Sequence, residues 1–196
     1  GIAPQQRLGS LYEPVAGEKF DLIVTNPPYV ISPPDDNRLV YRQGTLPADR
    51  LVETVVRDSV HHLNPAGSLQ ILGNWAVLDP DRWAERLRGW IPPGCDALVV
   101  ERERLDPFEY IEIWLADAGL VGHSDHGRRY REWLDYFDDL GVTGVGMGWI
   151  MVHHSGATTP DIRIEQWPHA VEQPVGPAFA AHREAVAYAR RTDAEV

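Results

Sequence analysis

The stretch Phe20-Asp21-Leu22-Ile23-Val24-Thr25-Asn26-Pro27-Pro28-Tyr29 limits the possible folds of this chain more than any other. Phe20 to Val24 is a nearly continuous, β-branched apolar run, which predicts a strand covered on both faces, as in a parallel sheet. It halts at Asn26-Pro27-Pro28-Tyr29. Neither proline can donate a ladder hydrogen bond, and each biases the residue before it away from helix, so the chain must leave the sheet there as a loop. Turn-forming residues at Ser32-Pro33-Pro34-Asp35-Asp36-Asn37 lengthen that loop. From Ala48 to Leu63 the residues Leu51, Val52, Val55, Val56, Val60 and Leu63 recur at helical spacing, with Glu53, Arg57 and Asp58 left for the other side. Asn64-Pro65-Ala66-Gly67 ends this helix, and Ser68 to Leu72 reads as the next strand. Strand, helix and strand in that order make a βαβ unit, and so an α/β sheet.

The remaining elements extend the same architecture. Asp79 to Trp90 predicts a helix with Trp83, Leu87 and Trp90 on one face, followed by a strand at Ala97 to Glu101. Two amphipathic helices come next, one striped by Phe108, Ile111, Leu115 and Ala118, the other by Tyr130, Trp133, Leu134 and Phe137. Val145 to His153 and Ile162 to Trp167 read as the two strands of an antiparallel hairpin that closes a mostly parallel sheet. Residues 1–19 carry no sustained periodicity and read as a lead-in loop. Residues 1–167 thus form one α/β unit; from Pro168 the Pro and Gly content reads as a linker, with His182 to Arg191 starting a further helical segment. No internal repeat is present.

Charge and cysteine content narrow the function classes. The chain has 196 residues with 18 Lys plus Arg against 29 Asp plus Glu, a net charge of -11. Electrostatic attraction to a phosphate backbone needs clustered cations, so the acidic excess argues against a non-specific nucleic-acid binder. The one cysteine, Cys95, can form neither an internal disulfide nor a cysteine metal cage, so the fold rests on its apolar core. No run approaches the roughly 18 to 20 apolar residues of a membrane span, and no signal peptide is visible, so the expectation is a cytoplasmic protein without a membrane partner. The chain begins at Gly1 and stops inside a helical pattern at Arg191-Thr192-Asp193-Ala194-Glu195-Val196, which reads as a piece of a longer protein.

The chemistry sits at the end of the first strand. Ligands of open α/β sheets lie outside the carboxyl ends of the strands, where Asn26 to Tyr29 falls. The cluster combines an amide, a rigid loop with main-chain carbonyls and an aromatic plate. These parts suit the holding of a planar NH2 group. The Asn26 side-chain oxygen and the Pro27 carbonyl can each accept one N–H, Pro28 stiffens the loop, and Tyr29 can stack on the flat amide or base. An amide nitrogen is a poor nucleophile because its lone pair is delocalised, and fixed acceptors that favour positive charge on it lower the barrier to attack on a methyl donor. Thr25, Asn74 and Trp75, at the ends of neighbouring strands, are candidates for the rim of the same crevice.

These residues carry a resemblance. Phe20 to Tyr29 is similar to the fourth motif of class I S-adenosylmethionine-dependent methyltransferases that act on amino or amide nitrogens. Within that group it resembles the release-factor glutamine methyltransferases (HemK type) and the methyltransferase small domain. The likeness covers roughly residues 18 to 75. It implies a Rossmann-like methyltransferase sheet, S-adenosylmethionine as cofactor, and Asn26, Pro27 and Tyr29 as the residues that orient the target nitrogen. In these enzymes the Gly-rich loop and the acidic residue that bind the cofactor lie upstream of the motif. Nothing upstream of Phe20 here supplies them, so the sheet is expected to be incomplete at its N-terminus and the isolated chain inactive. The acceptor is a protein glutamine amide, with an adenine or guanine amino group of RNA or DNA as the alternative; a non-catalytic interaction module of the same descent is a third reading.

Other features are read structurally. Gly144-Val145-Gly146-Met147-Gly148 spells Gly-x-Gly-x-Gly, but a cofactor loop must run from a strand into a helix, whereas Trp149-Ile150-Met151-Val152 continues as a strand. These glycines are expected to allow close packing or a bulge. His61-His62 and His153-His154 are adjacent pairs that cannot chelate from one face, so no metal site is expected. Tyr41-Arg42-Gln43-Gly44 reads as a solvated turn, Glu101-Arg102-Glu103-Arg104 as an exposed strand end of mixed charge, and the seven tryptophans as mostly core.

Overall fold

The computed structural model describes residues 3–34 and 46–191. The Tyr41 to Gly44 turn and the Asp35 to Asn37 part of the loop lie outside the described residues. The first strand forms as expected, as β1 (Phe20–Thr25), and is followed by α1 (Arg50–Asp58), a short 3-10 turn at Ser59–His62 and β2 (Leu63–Val77). β1 and β2 pair in parallel, with Ile23 opposite Leu69 and Thr25 opposite Ile71, so the βαβ unit is present. The residues expected to end the helix instead enter β2 as an irregular start. Ala66 has φ +65°, and the register against β1 shifts between Phe20 and Leu22.

α2 (Trp83–Arg88), β3 (Asp96–Leu105), α3 (Pro107–Asp117), α4 (His126–Leu140), β4 (Gly144–His153), β5 (Ile162–Gln166) and α5 (Gly176–Ala189) complete the chain. The five strands make one sheet in the order β1-β2-β4-β3-β5. Four strands run the same way. β4 lies between β2 and β3 and is antiparallel to both, while β5 pairs in parallel with β3 at the far edge. The expected closing hairpin is therefore corrected: β4 and β5 do not pair, because β4 fills the gap between two parallel strands and leaves β5 to follow β3. The mixed α/β sheet is compatible with a Rossmann-like methyltransferase fold.

Two apolar cores lie on opposite faces. On one, Leu69, Ile71 and Trp75 of β2 meet Leu51, Val52, Val55 and Val56 of α1 and Leu87 of α2. All four α1 residues are buried, as their spacing required, and each such side chain contributes about 1.5–3 kcal/mol by leaving water. On the other face, Ala76 and Val145 meet Tyr110, Ile111 and Leu115 of α3 and Trp133 and Phe137 of α4. α3 starts where Asp106 Oδ1 accepts the Glu109 N–H (2.8 Å) with Pro107 in its first turn. Its stripe is shifted from the expected one: Phe108 is exposed and Tyr110 takes the core position. α5 lies against the sheet face that carries Trp149, which meets Phe179 edge-on (centroids 5.9 Å apart), and Arg190 grips Asp96 at 2.6 Å through both nitrogens.

Coverage of β1 differs from the expectation. Leu22 and Val24 are 54% and 65% exposed. β1 is an edge strand, and among the described residues only its Ile23 side packs against a core.

The Glu101 to Arg104 stretch also departs from its expectation of an exposed strand end. Glu101 is 2% exposed. Strand alternation puts its carboxylate on the same face as Val99, just before a register shift between Glu101 and Glu103, where it accepts from Trp75 Nε1 (3.1 Å), Gln166 Nε2 (2.6 Å) and Arg104 Nε (3.0 Å). Three donors offset the desolvation of the charge. The Gly-x-Gly-x-Gly run lies within β4. A Cβ at Gly146 would overlap Trp75 and Glu101, and one at Gly148 would overlap the Val100 carbonyl, so both glycines serve close packing. Cys95 is buried, which with the nearby Asp96 pushes its thiol pKa up to about 11.

Candidate active site

β1 delivers the chain to the sheet's carboxyl edge at Thr25. Asn26 is exposed, Pro27, Pro28 and Tyr29 are half-buried, and Val30 and Ile31 are buried in the core under α3 and α4. The polar end of the loop thus faces water while its exit is anchored. Asn26, Pro27, Tyr29 and Val30 line one side of a cavity of about 450 Å³, and Ile113, Trp114 and Asp117 of α3 line the other. That volume lies within the usual range for small-ligand sites. Tyr29 touches both cores, which holds its ring between the β1 end and α3.

The candidate rim residues separate. Thr25 opens to a different cavity, a groove of about 380 Å³ along β1 that also takes in Leu22, Val24 and Val55. The two cavities meet at Pro27. Asn74 is 1% exposed and lies behind the loop, its Nδ2 donating to Tyr110 Oη at 3.1 Å. Trp75 is not brought to the Asn26 cavity. Successive strand residues face opposite sides, so Trp75 enters the α1 and α2 core, where it stacks on Trp83 (centroids 6.4 Å apart) and donates to Glu101.

Residues missed in the sequence hold the loop in place. Tyr110 Oη accepts the Ile31 N–H (3.0 Å) as well as the Asn74 amide, and Tyr136 Oη accepts the Ala48 N–H (3.0 Å). Burial raises the Tyr110 pKa above the ordinary phenol range, outweighing the hydrogen bonds from Ile31 and Asn74 that act to lower it. The phenol stays neutral and acts as a fixed hydrogen-bonding post. Asp49, 2% exposed, accepts the Ala76 N–H (2.7 Å) and both Arg86 nitrogens (2.7 and 2.8 Å), joining the start of α1 to the end of β2. The available signal was a tyrosine one position off an apolar stripe, and it does not identify a partner 79 residues away.

Among the described residues, the histidine pairs serve structural contacts. His62 stacks on Tyr12 (4.5 Å) and meets the Glu18 carbonyl, while His153 pairs with Ser68 and His154 with the Asn64 carbonyl. Among the described residues no three His, Cys, Asp or Glu side chains group to hold a metal, and no described helix is long and apolar enough to cross a membrane.

No known protein-family model matches the chain. It is 36% identical over 70 residues to the ribosomal protein uL3 glutamine methyltransferase of Bradyrhizobium diazoefficiens. The match takes in 31% of this chain and spans 22% of that protein's length.

Proposed function

We propose that the chain forms the acceptor side of an S-adenosylmethionine-dependent N-methyltransferase whose substrate is a planar NH2 group, the side-chain amide of a glutamine in a polypeptide. The observation that carries this reading is the placement of Asn26, Pro27 and Tyr29 together on one cavity wall at the carboxyl end of a parallel strand. The distant relative, named as a glutamine methyltransferase, supports the same chemistry.

The described residues do not fit the role of cofactor cradle. Their Gly-x-Gly-x-Gly run is enclosed within the sheet, where no adenosyl group could approach. The donor supplies an electrophilic methyl group, and in this proposal its cradle is made by residues outside this chain. The chain's own work is on the acceptor. The Asn26 carboxamide oxygen and the Pro27 carbonyl take the two N–H bonds, and the Tyr29 ring lies against the amide plane. Held this way, the nitrogen lone pair points out of the loop, and charge developing on the NH2 group meets acceptors already in place. Positioning of this kind can supply roughly 7 to 11 kcal/mol of barrier reduction.

Charge favours a polypeptide over a nucleic acid. Asp117 lies in the opposite wall, and the segment around it from Asp106 to Leu140 holds nine acidic and three basic residues. An acidic excess around the cavity repels a phosphate backbone.

The test is a labelled-donor methylation assay on cell lysate with the intact protein, the lysate treated separately with protease and with nuclease. Label lost to protease and kept after nuclease supports the reading; the reverse pattern assigns a nucleic-acid acceptor. Asn26→Ala is expected to lower turnover by about 100-fold or more with donor affinity unchanged, and wild-type turnover in that variant would refute the role of Asn26.

A further inference from the structure

We propose that Tyr110 is a positioning residue for the amine-holding loop, its phenol oxygen setting where Asn26 stands in the cavity. The inference rests on the functional reading above and extends it to a residue 84 positions away in sequence, on a different element.

The ring and the oxygen of Tyr110 have separable jobs. The ring fills the core among Trp114, Trp133 and Phe137, with centroid distances of 6.1, 6.2 and 5.9 Å, a task that phenylalanine would perform equally. The oxygen does something a phenylalanine could not. It accepts the Ile31 N–H at 3.0 Å and the Asn74 amide at 3.1 Å, so one atom joins the loop exit, the end of β2 and the helix that forms the far wall. Tyr110 and Ile31 are both 0% exposed, so no water can replace the oxygen as acceptor without a rearrangement of the core.

The tie reaches Asn26 because the chain between them is stiff. Pro27 and Pro28 each hold φ near -65°, and Val30 is packed in the same core as Ile31. A shift of the Ile31 amide is therefore carried back along the loop, since few soft torsions remain to absorb it. A displacement of about 1 Å at a reacting group can lower a rate about 100-fold. Tyr136 provides a comparison. Its oxygen makes the same kind of bond to the Ala48 N–H at 3.0 Å, but it has no such tie to Asn26 through the proline segment.

The experiment compares Tyr110→Phe with Tyr136→Phe in the intact protein. Turnover is normalised to donor-binding sites titrated by calorimetry, so that loss of folded protein does not count as loss of rate. Tyr110→Phe is expected to lower kcat per site at least 10-fold, with the KM for the donor unchanged. Tyr136→Phe should change kcat less than threefold. Hydrogen exchange of the Ile31 amide should accelerate in Tyr110→Phe beyond any change in global stability, and this readout does not require methyl transfer. Unaltered exchange at Ile31, or equal kcat losses in the two variants, would overturn the assignment of Tyr110. A wild-type protein that transfers no methyl group would instead sink the functional reading, leaving the exchange measurement to decide whether the oxygen fixes the loop.

Discussion

Gly146→Ala offers a sharp test of the packing described above, because one methyl group would have to enter a contact already filled by Trp75 and Glu101. A Cβ at position 146 overlaps Trp75 Nε1 and Glu101 Oε2 and stands 2.6 Å from Trp75 Cε2. None of these groups can retreat easily: the Trp75 indole is 0% exposed and stacked on Trp83, and Glu101 is held by Gln166 and Arg104. Overpacking of this kind costs about 1–3 kcal/mol, and disturbing the hydrogen bond to the buried carboxylate adds about 1.5–3 kcal/mol. Allowing for relaxation, a loss of about 3 kcal/mol is expected, which for 196 residues corresponds to a fall in Tm of about 7 °C. The control is Gly127→Ala near the start of α4, where a new Cβ meets nothing within 4 Å. There, helix propensity predicts a gain of up to about 1 kcal/mol. Thermal unfolding followed by circular dichroism reads both variants. An unchanged Tm in Gly146→Ala, or an equal loss in Gly127→Ala, would refute the packing argument.

Asp49→Ala should cost about 3 kcal/mol in urea unfolding, the low end of the range for breaking a buried pair, because Arg86 keeps 29% of its side chain exposed and can be rehydrated. A loss below about 1 kcal/mol would show that the Ala76 amide finds another acceptor. The contact between α5 and the sheet should weaken in two steps as pH falls. Burial and then Arg183 hold His153 below its ordinary pKa, so its neutral form contributes stability that is complete above the unfolded value of about 6.5 and declines as the pH drops toward the folded value. Burial acts to raise the Asp96 carboxyl, but hydrogen bonds led by Arg190 outweigh it, and its pKa is lowered. Its contribution is present above about pH 3.9 and is lost as pH falls through the lower folded value. Fluorescence of Trp149, which touches Phe179 on α5, should report the changes; Arg190→Ala should move the acid step to higher pH, and an unmoved step would remove Asp96 from the account.

What was legible in the sequence was what local chemistry encodes. The proline pair ended β1 at the right place, the spacing of Leu51, Val52, Val55 and Val56 gave the buried side of α1, and Gly146 and Gly148 proved to be packing residues in a strand. The errors arose where tertiary pairing decided the outcome. Val145 to His153 and Ile162 to Gln166 have good strand patterns, yet nothing within either run states that β4 enters between β2 and β3. Charge composition misled at Glu101, because the donors that make its burial tolerable come from Trp75 and Gln166, 26 and 65 residues away. On β1 the apolar run was read as covered on both faces, whereas Leu22 and Val24 face outward.

The same division runs through the candidate site. Asn26, Pro27, Pro28 and Tyr29 are contiguous, so their joint chemistry is readable as a short string and depends only on the strand before them. The residues that give this string a fixed position are long-range. Ile31 is held by a phenol on α3, Ala48 by one on α4, and the start of α1 by Asp49 and Arg86. A hydrogen bond between distant elements leaves no period in the sequence, and a buried tyrosine in an apolar stripe looks like one more aromatic of the core. Its oxygen becomes visible only when the folded chain shows two donors converging on it. The loop chemistry can therefore be read before the fold is known, whereas the precision with which that loop is held depends on partners that only the fold brings together.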